Sequence, residues 1–301
     1  MRVLRSMLFT PGNNPRMIDK AATLGADAVI LDLEDAVPMA EKDTARVLVK
    51  DAVEVVGAQG TQVFVRPNAI GTGLTAEDLR WSVQRGLTGI VLPKTESREQ
   101  VLEVVDWIRA LEAERDLDPG SVVLMPLLET AKGVLSAQEI AAASERIVAV
   151  AFGAVDYTRD MGTSLSAEAI ELFYAQSYIA LVARAYGVQA IDSPCITIRD
   201  QEVLVAEARR SRQLGYRGKL LIHPGQIEPV NQVFSPSEEE VAHAQRVVDA
   251  FRQAEAQGLG AISLDGTMID VANARQAKDL LSWAEAIDRK RDVRHVDKNV
   301  E

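Results

Sequence analysis

A (β/α)8 TIM barrel is the fold class predicted by this 301-residue chain, and three observations predict it. Eight short apolar runs recur with amphipathic helical stretches between them, the order of a barrel of alternating β and α units. Charged or polar residues stand directly after nearly every run, as when parallel strands deliver side chains to one rim. No Gly-x-Gly-x-x-Gly turn follows the first run, which argues against a doubly wound open sheet with a single switch point.

The strand-like runs are residues 3–9, 28–33, 63–65, 89–92, 122–128, 147–152, 188–191 and 220–222. Those at 122–128 and 147–152 are wholly apolar, the pattern of strands buried on both faces of a parallel sheet. Between the runs, helical periodicity covers 39–56, 98–114, 167–186 and 201–214. Helix starts are marked by Thr75, Ser97 and Ser166, whose hydroxyls can accept from exposed first-turn N–H groups. Helix ends fall at Gly25, Gly57, Gly86, Gly187 and Gly215, where a left-handed residue costs least. Beyond residue 234 the chain changes character. Ser237 before three glutamates opens a long helix to Gln257, and Asp265-Gly266 marks a hairpin within 261–270. A last helix runs through Leu280, Leu281 and Trp283. The expected organisation is a barrel over 1–234 and a C-terminal helical and hairpin extension over 235–288, able to act as a lid. A loose mixed-charge tail is expected over 289–301.

Composition narrows the function. A formal net charge of -11 argues against a nucleic-acid or anionic-membrane surface, though a local basic pocket could still hold a small anion. The one cysteine, Cys195, cannot form an intrachain disulfide and reads as a packed thiol in a reducing compartment. No apolar stretch resembles a signal peptide or reaches the length of a membrane span, so a cytoplasmic protein is expected.

The rim of the barrel gathers the residues with chemistry. Glu129 and Asp156 follow the two apolar runs, and two acids brought to one rim would hold a hard divalent cation, or else remain solvated loop acids. Arg66 ends the third run and suits a carboxylate or a developing oxyanion, or a salt bridge within the acidic rim. Asp32, Glu34 and Asp35 cannot all face one way. Glu34 or Asp35 would meet metal-bound water or Arg66 while another stays solvated. The turn from Pro11 to Arg16, with Asn13 and Arg16, fits either a phosphate cradle or a plain loop. Lys94, Asp192 and His223 complete the rim, the histidine beside proline reading as a structural hydrogen-bonder.

Several segments together resemble the citrate lyase β-subunit family of the HpcH/HpaI aldolase superfamily, which includes malyl-CoA and citramalyl-CoA lyases. They are Arg5-Ser6-Met7-Leu8-Phe9-Thr10-Pro11-Gly12, Leu31-Asp32-Leu33-Glu34-Asp35, Arg66-Pro67-Asn68, Leu92-Pro93-Lys94, Glu129-Thr130-Ala131, Asp156-Tyr157 and Ile222-His223-Pro224-Gly225. The resemblance implies a Mg²⁺-dependent barrel acting on CoA thioesters, with Glu129 and Asp156 as metal ligands and Arg66 as substrate ligand. It implies reversible cleavage of a 3-hydroxy-acyl-CoA (malyl-, citramalyl- or citryl-CoA) to an acyl-CoA and a 2-oxo acid. The metal would hold the substrate's hydroxyl as it loses its proton, and a thioester enolate would be left on cleavage. An acid in the late hairpin would act as general acid/base. Asp270 takes that place, with Asp265 as second choice; the sequence departs from the family here, where proline often follows the acid and this chain reads Val271-Ala272-Asn273-Ala274. A homo-oligomer, a trimer by resemblance, is implied, and an acyl-carrier protein is a further partner to consider. The competing expectations are a class II pyruvate-type aldolase on a free hydroxy-oxo acid and a non-catalytic subunit that docks an acyl carrier.

Overall fold

A computed structural model describes residues 2–58 and 60–297, with side chains to residue 291. Eight parallel strands close into a barrel, each paired with the next and the last with the first. They are β1 (Ser6–Pro11), β2 (Ala28–Asp32), β3 (Gln62–Arg66), β4 (Gly89–Leu92), β5 (Val123–Leu128), β6 (Ala149–Phe152), β7 (Gln189–Asp192) and β8 (Gly218–Leu221). Helices lie between successive strands, including Lys42–Ala58, Arg98–Glu114, Ile170–Ala185 and Gln201–Leu214. The fold class is the one the sequence predicts, and the strand at 89–92 and the helices at 98–114 and 201–214 have the expected bounds.

Two apolar layers follow from strand alternation. Met7, Ala28, Ile30, Phe64, Val91, Met125, Leu127, Ala151, Ile191 and Leu220 fill the barrel interior. Val29, Leu31, Val63, Val65, Ile90, Leu124, Val150 and Ala190 point outward and pack under the helices. The barrel is therefore a filled core, and open space is left to the loops at the C-terminal strand ends.

Four local expectations are corrected. The first run does not make a strand from residue 3; β1 begins at Ser6, and Val3 packs instead with Trp283, Ala286 and Ile287. Gly57 does not end its helix, which continues to Ala58. A Cβ on Gly57 would lie 2.6 Å from the Gly86 carbonyl oxygen, so close backbone approach is what glycine serves there. Thr75 is the first helical residue rather than the cap, its hydroxyl donating to the Asn68 carbonyl at 2.9 Å. Ser166 caps no helix directly; it ties back Glu171 in a turn ahead of the helix that starts at Ile170. Ser97 does cap, accepting from Gln100 N.

The chain divides into two compact units, Leu4–Phe234 and a second formed by the residues up to Val3 with those from Ser235 onward. In the second unit, Ser237 and Glu240 form a reciprocal cap at the start of the helix Glu238–Ala256. The antiparallel hairpin β9 (Ala261–Leu264) and β10 (Thr267–Asp270) turns at Asp265 and Gly266, with φ of 51° and 80°. Two left-handed residues in succession match the right-handed twist of a two-residue hairpin. Val247, Phe251, Ile269 and Ala274 form its core. The final helix, Val271–Asp297, carries helical backbone into the segment expected as a tail, and 298–301 lie outside the described residues. Among the described residues no helix is long and apolar enough to cross a membrane.

Candidate active site

Strand alternation decides which rim residues meet. In β2, Ala28 and Ile30 face inward, so Asp32 does too; in β3, Arg66 follows Phe64; beyond β5, Glu129 follows Val123, Met125 and Leu127. These side chains converge over the top of the filled core.

Arg66 is gripped along one edge by Asp32, Nε to Oδ1 at 2.7 Å and Nη2 to Oδ2 at 2.6 Å. Its guanidinium lies 4.6 Å from the centre of the Phe9 ring, which supports it from the side of β1. Nη1 faces Glu34 Oε2 at 3.2 Å and Asp35 Oδ2 at 3.8 Å. Lys94 donates from Nζ to Glu34 Oε1 at 2.6 Å. Lys42 braces the loop from below, donating to the carbonyls of Leu33 and Glu34 at 2.6 and 2.7 Å. Glu34 is thus buried between two cations. Asp35, its side chain 56% exposed, sits outside them.

Electrostatics separates the acids. Burial pushes Asp32 up, but the charge and hydrogen bonds of Arg66 and two backbone N–H donors outweigh it, so its pKa falls. Glu34 stays raised, because burial exceeds the help of Arg66 and Lys94. Arg66 and Lys94 lose to burial but gain more from the surrounding carboxylates, and both are raised.

Glu129 is 2% exposed. Its Oε1 accepts from the Lys94 backbone N–H at 2.8 Å, and a Cβ on Gly153 would come within 2.6 Å of Oε2. Glycine at 153 therefore makes room for this carboxylate. Burial first, then the charges of Glu34 and Asp156 against the opposing pull of Lys94, raise its pKa to about 8. Asp156 stands in the first turn of the helix Ala154–Asp160, paired at 2.5 Å with Arg159, whose side chain is 74% exposed. A buried carboxylate with one donor and like charges nearby is what a hard cation would relieve. Among the described residues no three His, Cys, Asp or Glu side chains cluster to hold a metal. Two carboxylates fit Mg²⁺ best of the hard cations, since it keeps several waters and uses few protein oxygens.

The other expected residues scatter. Asn13 donates to Glu41 at 2.6 Å, Asn14 caps the short helix Pro15–Ala21, and Arg16 stands exposed in its first turn. His223 is exposed and accepts from Gly225 N at 3.1 Å, capping a turn with Gln226. Asp192 is not a rim group. Ile191 faces inward, so Asp192 faces outward, where Gln176, Ser211 and Lys219 donate to it at 2.9, 2.8 and 2.6 Å. Cys195 is buried, and burial raises its thiol pKa. In the second unit, Asp270 Oδ1 accepts from Ala272 N at 2.8 Å and Asn273 N at 3.2 Å, capping the final helix, while Asp265 pairs with Arg246 at 3.1 Å. Sequence reasoning passed over Phe9 and assigned no site role to Asp32 or Lys94. The clue to Asp32 was its even spacing from Ala28 and Ile30.

A closed parallel barrel with acids and a guanidinium converging at the C-terminal strand ends has the arrangement of the (β/α)8 barrel enzymes. Residues 5–224 match the model of the HpcH/HpaI aldolase/citrate lyase family, and the chain belongs to that family, one of lyases. It is 40% identical over 285 residues to citrate lyase subunit beta of Leuconostoc mesenteroides subsp. cremoris, covering 95% of this chain and 94% of that protein. It is 32% identical over 296 residues to mitochondrial citramalyl-CoA lyase of Homo sapiens, covering 95% and 87%. Among solved structures, it is similar to the protein CitE of Mycobacterium tuberculosis in complex with magnesium, acetoacetate and coenzyme A. The TM-score is 0.75 at 34% identity, with 95% of this chain and 100% of that one covered.

Proposed function

We propose that this chain is a Mg²⁺-dependent carbon–carbon lyase that reversibly cleaves a 3-hydroxy-acyl-CoA of the malyl-, citramalyl- or citryl-CoA type to an acyl-CoA and a 2-oxo acid. The observation that carries this reading is the buried, under-neutralised Glu129 beside the cation-bearing rim of Arg66 and Lys94. The relatives named citrate lyase subunit beta and citramalyl-CoA lyase, and the neighbour solved with magnesium and coenzyme A, support it. Glu129 and Asp156 would hold Mg²⁺, which when bound supplies Lewis-acid polarisation of the substrate's oxygens.

The protein's own groups do the rest. Arg66 commits its Nε–Nη2 edge to Asp32, which leaves Nη1 for a substrate oxygen and holds the fork in a fixed direction. A donor so placed stabilises negative charge on a thioester enolate by about 3 kcal/mol. Asp270 would move the proton at the thioester α-carbon, given in cleavage and taken in condensation. We further propose a homo-oligomer in which Asp270 serves a neighbouring subunit, and a cytoplasmic setting consistent with the single buried cysteine.

The deciding experiment incubates the purified protein with acetyl-CoA, Mg²⁺ and a panel of 2-oxo acids and reads products by mass spectrometry. A 3-hydroxy-acyl-CoA product is expected. Its absence for every acid, from protein that binds Mg²⁺, would refute the reaction. Asp270→Asn tests the acid/base cleanly, because asparagine also caps helices and the fold should persist. Mixed with inactive Glu129→Gln under subunit exchange, it should regain partial activity; failure with exchange verified would remove the role in a neighbour.

A further inference from the structure

We propose, resting on the functional reading above, that Lys94 is a positioning residue that locks the metal-holding carboxylate and the substrate-holding guanidinium into one frame. Its backbone N–H fixes Glu129 Oε1 at 2.8 Å, and its ammonium takes Glu34 Oε1 at 2.6 Å. The other oxygen of Glu34 stands 3.2 Å from Arg66 Nη1 without hydrogen-bond geometry, leaving that donor unspent. Lys94, two residues past the end of β4, thus links groups carried by β2, β3 and β5.

The backbone says that the side chain is wanted there. Lys94 has φ of 47°, a left-handed conformation that this chain elsewhere gives mostly to glycine. The turn is closed around it: Thr95 Oγ1 donates to the Leu92 carbonyl at 2.7 Å and Thr95 N to the Leu127 carbonyl at 3.2 Å. Gly133 has no Cβ where the Thr95 carbonyl oxygen would lie 2.5 Å from it. Glycine at 94 would fit this turn with less strain and keep the N–H to Glu129. What it would lose is the ammonium. Without the ammonium, Glu34 is left between burial and Arg66 alone, and would close on Nη1 and occupy it. A 2-oxo acid would then compete with an internal carboxylate, while the metal pocket would keep its N–H donor and lose a neighbouring positive charge. The two affinities should therefore move apart.

Titration calorimetry on the full chain tests this, with MgCl₂ added to metal-free protein and then oxaloacetate or pyruvate added to Mg²⁺-saturated protein. In Lys94→Met and Lys94→Gly, Mg²⁺ should bind as tightly as in the parent or more so. Oxo-acid affinity should fall about tenfold, as when a charge-assisted contact is lost. Lys94→Arg should restore part of it, and the glycine variant should melt no lower than the parent. Unchanged oxo-acid affinity in the methionine and glycine variants would overturn the proposal. So would a parallel loss of Mg²⁺ and oxo-acid affinity with a lowered melting temperature, the mark of a purely structural role. A parent protein that binds neither Mg²⁺ nor oxo acid would overturn the functional reading itself, and this proposal with it.

Discussion

Two buried acid–base clusters sit on opposite sides of this barrel, and they are built on different terms. Between β7, β8 and the helices Ile170–Ala185 and Gln201–Leu214, Asp192 receives three side-chain donors. Lys219, itself buried, answers both Asp192 at 2.6 Å and Glu207 at 3.2 Å. Tyr216 closes the set, donating from its hydroxyl to the Gln176 carbonyl at 3.1 Å. Across the barrel, the rim cluster is incomplete. Glu34 has an oxygen with no hydrogen bond, and Glu129 has one backbone donor for a carboxyl whose pKa burial and like charges raise to about 8. A saturated cluster holds a fold together. An unsaturated one, kept buried by neighbours that over-determine it, is poised for a ligand.

The largest effect that would break this contrast is on activity. Glu129→Gln or Asp156→Asn should lower turnover by about a thousandfold or more while leaving the fold intact. Mg²⁺ binding that survives in both variants, measured by calorimetry, would remove them from the metal site. The opposite cluster should respond only in stability. Lys219→Met leaves the buried Asp192 charge without its cation, held by Gln176 and Ser211 alone, and should cost about 3–5 kcal/mol in denaturant unfolding, much of it recovered with Asp192→Asn added. A change in turnover per folded molecule would show that the two clusters are coupled.

Arg66→Lys comes next, since it keeps charge but loses the fork shared with Asp32; turnover should fall about a hundredfold. Kinetics like the parent's would make Arg66 an ion-pair partner and nothing more. The smallest effect is in pH dependence. Glu129 in the folded, metal-free protein titrates near 8, above its unfolded value, so the stability this group contributes is full below the ordinary carboxylate range. It is lost as pH rises through about 8. Metal-free protein should lose about 2 kcal/mol between roughly pH 6 and 8, a slope absent in Glu129→Gln. A slope equal in both proteins would assign it to other groups.

Much of this architecture is legible in the sequence, because eight apolar runs and their punctuation state the barrel directly. What was not legible came from ambiguity of facing. A four-residue strand of mixed polarity such as Gln189–Asp192 does not state which side faces in, so Asp192 reads as a rim residue until the inward side of Ile191 is fixed. The same blindness hid the grip of Asp32 on Arg66, which the sequence offered only as one of three acids in a row. The left-handed backbone of Lys94 is a tertiary decision, imposed by the turn that joins β4 to the next helix, and no local propensity announces it. The first run misled because one stretch of apolar residues serves two cores: Leu4 and Met7 the barrel, Val3 the C-terminal unit.

That last division bears on how the molecule is made. Val3 is packed against Trp283, Ala286 and Ile287, and its carbonyl accepts from Lys290 at 3.1 Å. On a ribosome the barrel's sequence emerges whole before the residues that Val3 needs exist, since domains form as their sequence appears. Val3 must therefore wait for its partners until the roughly 280 residues that separate it from Trp283 have been made. A polar substitution at Val3 would therefore burden the unit that holds Trp283, not the barrel.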